Sequence, residues 1–334
     1  MRGVADFLTA GRTAGRYMIS VSQGVAALGA ISVVGFLEQN YVAGFAFTWW
    51  GMSTAIVVLL ITVTGFVIYR FRETRCLTLA EFFERRYSRR FRVFMGLLAF
   101  LSGIVNFGIF PAVGARFFIH YIGLPESLQL GPVAASTYPT VMALLLLTSL
   151  FFVFSGGQVA VIVTDFVQGI FVNLVFLAIV VFLLSTVSWD QIFTALGTAP
   201  ADASLVNPFR TSQVRDFNFW YFLIGTIGVV YVVMSWQGTQ GYNASAESAH
   251  EAKMGAVLSN WRGLPQTLFL LIVPIVAYTV LHHADFAAES AAVSTRLASA
   301  ESETIANQLR VPAVLTLLLP TWLLGAIAAV MLPS

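Results

Sequence analysis

A carboxylate in an apolar setting is the first feature of this chain with chemical consequences. Asp165 lies a short way into the apolar run 158–187, directly after Ser155-Gly156-Gly157-Gln158. An uncompensated carboxylate in hydrocarbon costs about 2.5–3.5 kcal/mol on insertion scales, so Asp165 belongs against a protein interior or a wet cavity. The chemistry it offers there is attraction of a passing cation. Thr164 and Gln168 stand beside it at i−1 and i+3, and Gly156-Gly157 mark where the chain turns into the helix. The competing explanation is an acid near a helix N-terminus, stabilised by the dipole and by headgroup water.

A second group of candidates lies in the first apolar run, where Gly24, Gly29 and Gly35 interrupt alongside Ser20, Ser22 and Ser32. Interior glycines weaken a helix and let it unwind, and broken transmembrane helices free carbonyls for cations and amides for anions. Small-residue packing between helices explains the same glycines. Farther on, Gly225, Gly228 and Tyr231 precede the amide-rich stretch Trp236-Gln237-Gly238-Thr239-Gln240-Gly241-Tyr242-Asn243, and Trp49-Trp50 are followed by Gly51, Ser53 and Thr54. Tyr231, Trp236, Trp49 and Trp50 also suit interfacial anchoring. No phosphate-cradling P-loop, H-E-x-x-H or metal-spaced Cys/His set is present, and the four histidines are scattered. Nothing marks a nucleophile elbow, so no residue argues for an enzyme and no cofactor is expected.

These groups need elements to hold them, and composition says of what kind. Apolar residues make up 58% of the chain and charged ones 10%, far outside the soluble range. Runs long enough to cross a bilayer occur at 17–40, 44–70, 93–119, 139–155, 158–187, 218–236, 264–283 and 312–332. The expectation is an all-α polytopic membrane protein with eight transmembrane helices; barrel strands would be shorter and alternating. The single cysteine, Cys76, builds no disulfide framework, and Met1–Arg16 lacks the apolar core of a signal peptide.

Basic residues sort by side. Arg2, Arg12, Arg16, the eight arginines between Arg70 and Arg92, Lys253 and Arg262 fall on one side of the serpentine, against Arg210, Arg215, Arg296 and Arg310. The positive-inside rule puts both termini in the cytoplasm; a net charge of +2 grouped by membrane side gives no argument for nucleic acid, and the arginines of 78–92 are expected to meet lipid phosphates. Thr78–Arg92 reads as a helix on the membrane surface with Leu79, Phe82, Phe83 and Tyr87 on one face. The segment 284–310 reads either as a lid helix or as a solvated linker.

Four ordered stretches together resemble the sodium/solute symporter family, relatives of the sodium/glucose and sodium/proline symporters. They are Asp6-Phe7-Leu8-Thr9-Ala10-Gly11-Arg12; Thr78-Leu79-Ala80-Glu81-Phe82-Phe83-Glu84-Arg85-Arg86-Tyr87; Gly156-Gly157 with Ala160-Val161, Thr164-Asp165 and Gln168; and Leu318-Leu319-Pro320 with Leu324-Gly325 and Ala328-Ala329. The resemblance implies two inverted five-helix repeats, the first over 17–187 and the first three helices of the second over 218–332. It also implies an incomplete copy, lacking the helix that usually precedes Asp6 and the ninth and tenth core helices.

Carried over by position, the family's sodium site falls on the backbone of Val25 and Leu28, with Asp165 near the route of sodium release. The substrate-facing positions fall on Ser32, Gly51, Thr54, Gly228 and Tyr231. Ser32, Gly51 and Gly228 are small where sugar carriers have larger polar groups, which argues against a sugar. Arg262 opens the seventh span near where those relatives carry a cation. The function implied is sodium-coupled symport of a small polar solute in a bacterial inner membrane. A membrane sensory module of a signalling kinase and a non-functional remnant are the alternatives.

Overall fold

The structure, a computed structural model, describes residues 3–26, 28–130, 133–214, 216–232, 239–298, 300 and 302–331. A short α1 (Val4–Thr9) ends at Ala10 in a left-handed conformation and is followed by a 3-10 turn. The first apolar run is two helices, α2 (Arg16–Val25) and α3 (Ala30–Ala43), because Gly29 takes extended angles and caps the second. The glycine-rich composition therefore produces an interruption here, as well as close packing. Gly44 and Gly65, both at positive φ, bracket α4 (Phe45–Thr64), and α5 (Ile68–Glu73) completes the second run.

The expected surface helix 78–92 is instead a helix and the start of another. Thr78 caps α6 (Leu79–Arg86), whose last turn breaks at Tyr87, and Ser88 then caps α7 (Arg89–Ile122). Arg89, Arg90 and Arg92 thus belong to a membrane helix. Beyond α7, the strands β1 (Ser127–Leu130) and β2 (Val133–Ser136) form a small antiparallel hairpin, an addition to the all-α expectation.

The fourth and fifth runs form one element, α8 (Thr137–Thr186), 50 residues long. Straight, it would extend about 75 Å, against a hydrocarbon core of about 30 Å. It is not straight: Gly157 at φ 53°, ψ −147° bends it. Ser149 and Asp165, each eight residues from Gly157, line the same cavity, so the halves lie side by side as two crossings. After α9 (Trp189–Gly197), held by a Ser188–Gln191 capping box, the sixth run gives α10 (Phe219–Val232) and, farther on, α11 (Gln240–Ser245). Trp236, Gln237 and Gly238 of the amide-rich stretch lie outside the described residues, as do Arg2 and Arg215.

Lys253 and Arg262, expected in a connection, lie inside α12 (Ala249–Arg262), which meets α13 (Leu264–His282) at Gly263 alone. The segment 284–310 holds α14 (Ala287–Leu297) and runs into α15 (Glu303–Leu318), with Val293 and Ile305 buried, so it is a packed cap and not a solvated linker. The eighth run is not one helix either. Leu319 is extended and α16 (Thr321–Met331) starts after Pro320, which restricts the residue before it.

Among the described residues, four helical stretches are long and apolar enough to cross a bilayer: Phe45–Glu73, Arg89–Ile122, Thr137–Thr186 and Ala249–His282. The first and eighth runs fall short because a glycine and a proline interrupt them. On α7 the side chains of Leu97, Phe100, Leu101, Ile104 and Phe107 are 54–66% exposed, an apolar belt suited to lipid and not to water. The core lies between α3, α13, α15 and the second half of α8, where Phe176 stacks on Phe269 at 3.8 Å between centroids. Lipid tails are as apolar as leucine, so close packing and not water exclusion holds these helices together. Gly169 and Gly255 let α2 pack closely on α8 and α12 respectively, since an added Cβ at either would collide with Val21 or Ile19.

Candidate ion and solute site

The end of α2 leaves its last carbonyls without helical donors, as every helix end does. Leu28 N–H donates to the Val25 carbonyl at 2.7 Å, closing a turn across the break. Val25, Leu28, Gly29 and Ala30 line a cavity of about 390 Å³, and across it stand Asp165 and Gln168 of α8 and Tyr242 of α11. The register of α2 against α8 is set by Ser22, whose buried hydroxyl donates to the Ile162 carbonyl at 2.9 Å. At Gly169 a Cβ would meet Val21 Cγ1 at 2.5 Å and Val25 Cγ2 at 2.9 Å, so a bare backbone is what lets the break approach Asp165.

Asp165 is half-buried and accepts a hydrogen bond on Oδ2 from the hydroxyl of Tyr242, which is 3% exposed. Among the described residues lining the cavity there is no Lys, Arg or His, so none of them gives the carboxylate a cationic partner. Asn106 and Ser149 contribute polar groups, although each also bonds to the carbonyl four residues back on its own helix, at 2.8 and 3.1 Å. Thr164, next to the acid, likewise bonds back to Ala160 at 2.8 Å and to Val161, and does not line the cavity. The arrangement is a negative group across an apolar-walled space from the backbone of a helix break. It can attract and partly dehydrate a small cation.

Three of the sequence candidates, Val25, Leu28 and Asp165, therefore come together. The other five do not join them. Gly51 and Thr54 line a second, more open cavity of about 630 Å³ with Gln39, Trp50 and Thr226, and the Thr54 and Thr226 hydroxyls are 2.8 Å apart. Ser32 is half-buried on α3 and lines neither space, and Gly228 on α10 lines neither. Tyr231 is 83% exposed and flanks a separate groove with Phe66 and Phe82. Arg262 donates to the Tyr17 carbonyl at 3.2 Å and sits over the Tyr17 ring at 5.2 Å.

Tyr242 was missed as a partner for Asp165. It stood in the amide-rich stretch, but nothing in a one-dimensional pattern pairs residues 77 positions apart.

Below the cavity the arginine-rich face is latched. Ala14 and Ala246 form a parallel bridge, with Ala14 N–H to the Ser245 carbonyl and Glu247 N–H to the Ala14 carbonyl, both at 3.0 Å. Glu251 takes the backbone N–H of Arg16 at 2.7 Å and the same residue's Nε at 3.0 Å. Arg72, buried, donates from Nε and Nη2 to the Ala246 carbonyl at 2.9 and 2.7 Å. These bonds tie the segments before α2 and α12 to α5.

A Na+-coupled sialic acid symporter, solved in a substrate-bound outward-open state, superposes with a TM-score of 0.73 at 18% sequence identity. The match covers 100% of this chain and 64% of that one, so this chain spans less than two thirds of the neighbour's length. At that identity the likeness carries the fold and not the chemistry. The family model of the sodium:solute symporter family, a class of transporters and not of enzymes, matches residues 7–334. With the broken first helix, the bent α8 and the half-buried Asp165 already in place, that match over nearly the whole sequence means that the chain belongs to the sodium:solute symporter family.

Proposed function

We propose that this protein couples the movement of sodium to the transport of a small polar solute. The observation that carries the reading is the cavity in which Asp165, without a cationic partner among the described residues, faces the Val25–Leu28 break of the first helix. Sodium is the coupling ion; the Val25 and Leu28 carbonyls and Asp165 are its proposed contacts. Its binding favours one conformation by its differential affinity for it, and the sodium gradient then drives the solute. Of the five expected solute positions, Gly51 and Thr54 are the proposed contacts, because they share one cavity; with no charged residue among the described residues that line it, that cavity suits an uncharged polar molecule. The two repeats, 17–187 and 218–332, would rock about this centre, with both termini in the cytoplasm of a bacterial inner membrane.

Tyr242 has a positioning role in this scheme. It holds Asp165 through its hydroxyl while its own short helix is latched to Ala14 and Arg72 through Ala246. A cation arriving at Asp165 thereby acts on the segment that closes the arginine-rich face.

The test is solute uptake by cells or proteoliposomes carrying the full-length protein, screened over neutral polar solutes with sodium or choline outside. Uptake should require sodium, and Asp165→Ala should weaken that requirement. Equal uptake in choline removes the coupling, and an unaltered sodium response in Asp165→Ala removes that residue from the mechanism.

A further inference from the structure

We propose that the cleft where Arg12, Arg72 and Arg75 meet the start of α12 is a phosphate-binding site that staples the arginine-rich face shut. The cleft holds about 440 Å³ and is completed by Glu73, Glu247 and Ser248. Its three guanidiniums come from two distant segments, the turn before α2 and the end of α5 with the residues after it. Among the described residues no carboxylate forms an ion pair with any of the three. Glu73 is turned to Arg70 at 3.3 Å, and Glu247 is exposed at the rim.

Two of the three guanidiniums are held in place by backbone carbonyls. Arg72 uses Nε and Nη2 on the Ala246 carbonyl, and Arg12 uses one Nη2 donor on the Arg75 carbonyl at 2.8 Å. Each guanidinium carries five N–H donors, so most remain for a ligand. Arg12 and Arg75 also have positive φ, 58° and 55°, a region that L-residues with side chains rarely occupy. Such backbone conformations persist where surrounding contacts impose them, and they gather at ligand clamps. Ser248 caps α12, whose 14-residue dipole adds partial positive charge to the same cleft.

Three forked donors and a helix start outnumber what the two oxygens of a carboxylate can satisfy, and they match a phosphate. The phosphate is either the headgroup of an anionic phospholipid or a free anion. On the transport reading above, the segments bearing these arginines separate when this face opens, so a bound phosphate favours the closed form.

The test is independent of sodium and of uptake. The full-length protein, delipidated in a neutral detergent, is titrated with inorganic phosphate while thermal unfolding is followed, and then again in phosphatidylcholine and phosphatidylglycerol nanodiscs. Phosphate should stabilise saturably in detergent, at least tenfold more weakly in Arg12→Gln/Arg75→Gln and unchanged in Arg89→Gln, which alters an exposed arginine outside the cleft. Arg75→Gln alone, at an exposed side chain, serves if the double variant fails to fold. A response lost in phosphatidylglycerol but kept in phosphatidylcholine identifies the lipid headgroup; a response kept in both identifies the free anion. No saturable response, or an equal loss in Arg89→Gln, overturns the site.

Discussion

Gly169→Ala tests whether the approach of α2 to α8 holds the candidate ion site in shape. The added methyl would stand 2.5 Å from Val21 Cγ1, 2.9 Å from Val25 Cγ2 and 3.4 Å from the Val21 carbonyl oxygen. Ordinary carbon contacts need about 3.5–4.0 Å, so one helix must retreat by about 1 Å. Rotating the valines offers little escape, since a β-branched side chain in a helix is confined to essentially one χ1 rotamer. Overpacking of this kind costs about 1–3 kcal/mol, a factor of about 5 to 150 in a folding equilibrium. The shift also carries the Val25 carbonyl away from Asp165. Both consequences are read in one assay, unfolding of purified protein followed in choline chloride and again across a sodium chloride titration. The variant should unfold earlier in choline and need more sodium for the same stabilisation. Gly96→Ala is the control: nothing lies within 4 Å of its added methyl, and replacing a helical glycine there should be neutral or stabilising by up to about 1 kcal/mol. If Gly169→Ala behaves like Gly96→Ala in both salts, the close contact and the argument built on it are wrong.

Tyr242→Phe removes the donor to a half-buried carboxylate, a bond in the range of about 1.5–3 kcal/mol. The sodium-free protein should unfold earlier and sodium should then give a larger stabilising increment than in the parent; unchanged midpoints in both salts would show that the hydroxyl does not hold Asp165. Gly157→Ala forces a side chain into φ 53°, ψ −147° and onto Phe7, 2.6 Å away, so a loss of at least about 1–3 kcal/mol is expected, with poor membrane yield as the first sign. At Glu81, outside the spans, burial pushes the carboxyl up, but the Leu77 N–H at 2.8 Å and Arg85 outweigh it and hold it below the usual glutamate range. A depressed acid stabilises above its ordinary pKa and loses that contribution as pH falls through the lowered one. Amide exchange at Leu77, corrected for intrinsic rates, should therefore gain protection on raising pH through the acidic range, and flat protection would refute the assignment.

Much of this protein is visible in one dimension because a bilayer imposes a crude rule. Every crossing must be apolar and long, so hydropathy marks the runs, and Asp165 is conspicuous for the same reason. The glycine pair at 156–157 could be read as a turn into a helix, since glycine tolerates the positive φ that Gly157 adopts. The family resemblance, from four short motifs, was legible as well, and the match over residues 7–334 agrees with it.

Pairing across distance was not legible. That Ser149 and Asp165 share a cavity depends on how sharply α8 bends, and that Tyr242 caps the acid depends on where α11 is carried by the latch at Ala246. Helix breaks were only partly readable: the interruption after Val25 was one of two readings of the glycines, whereas the break at Leu319–Pro320 lay inside a run, 312–332, read as one crossing. Likewise, nothing in the order of residues separated Gly51 and Thr54 from Tyr231, which the packing of α4 and α10 sends to different spaces. Sequence alone determined the solvent, the approximate crossings and the anomalous charge, because each follows from the transfer free energy of side chains taken one run at a time. Tertiary structure alone decided which groups face one another, because that depends on clearances of a few tenths of an ångström between helices far apart in the chain, as at Gly169 against Val21.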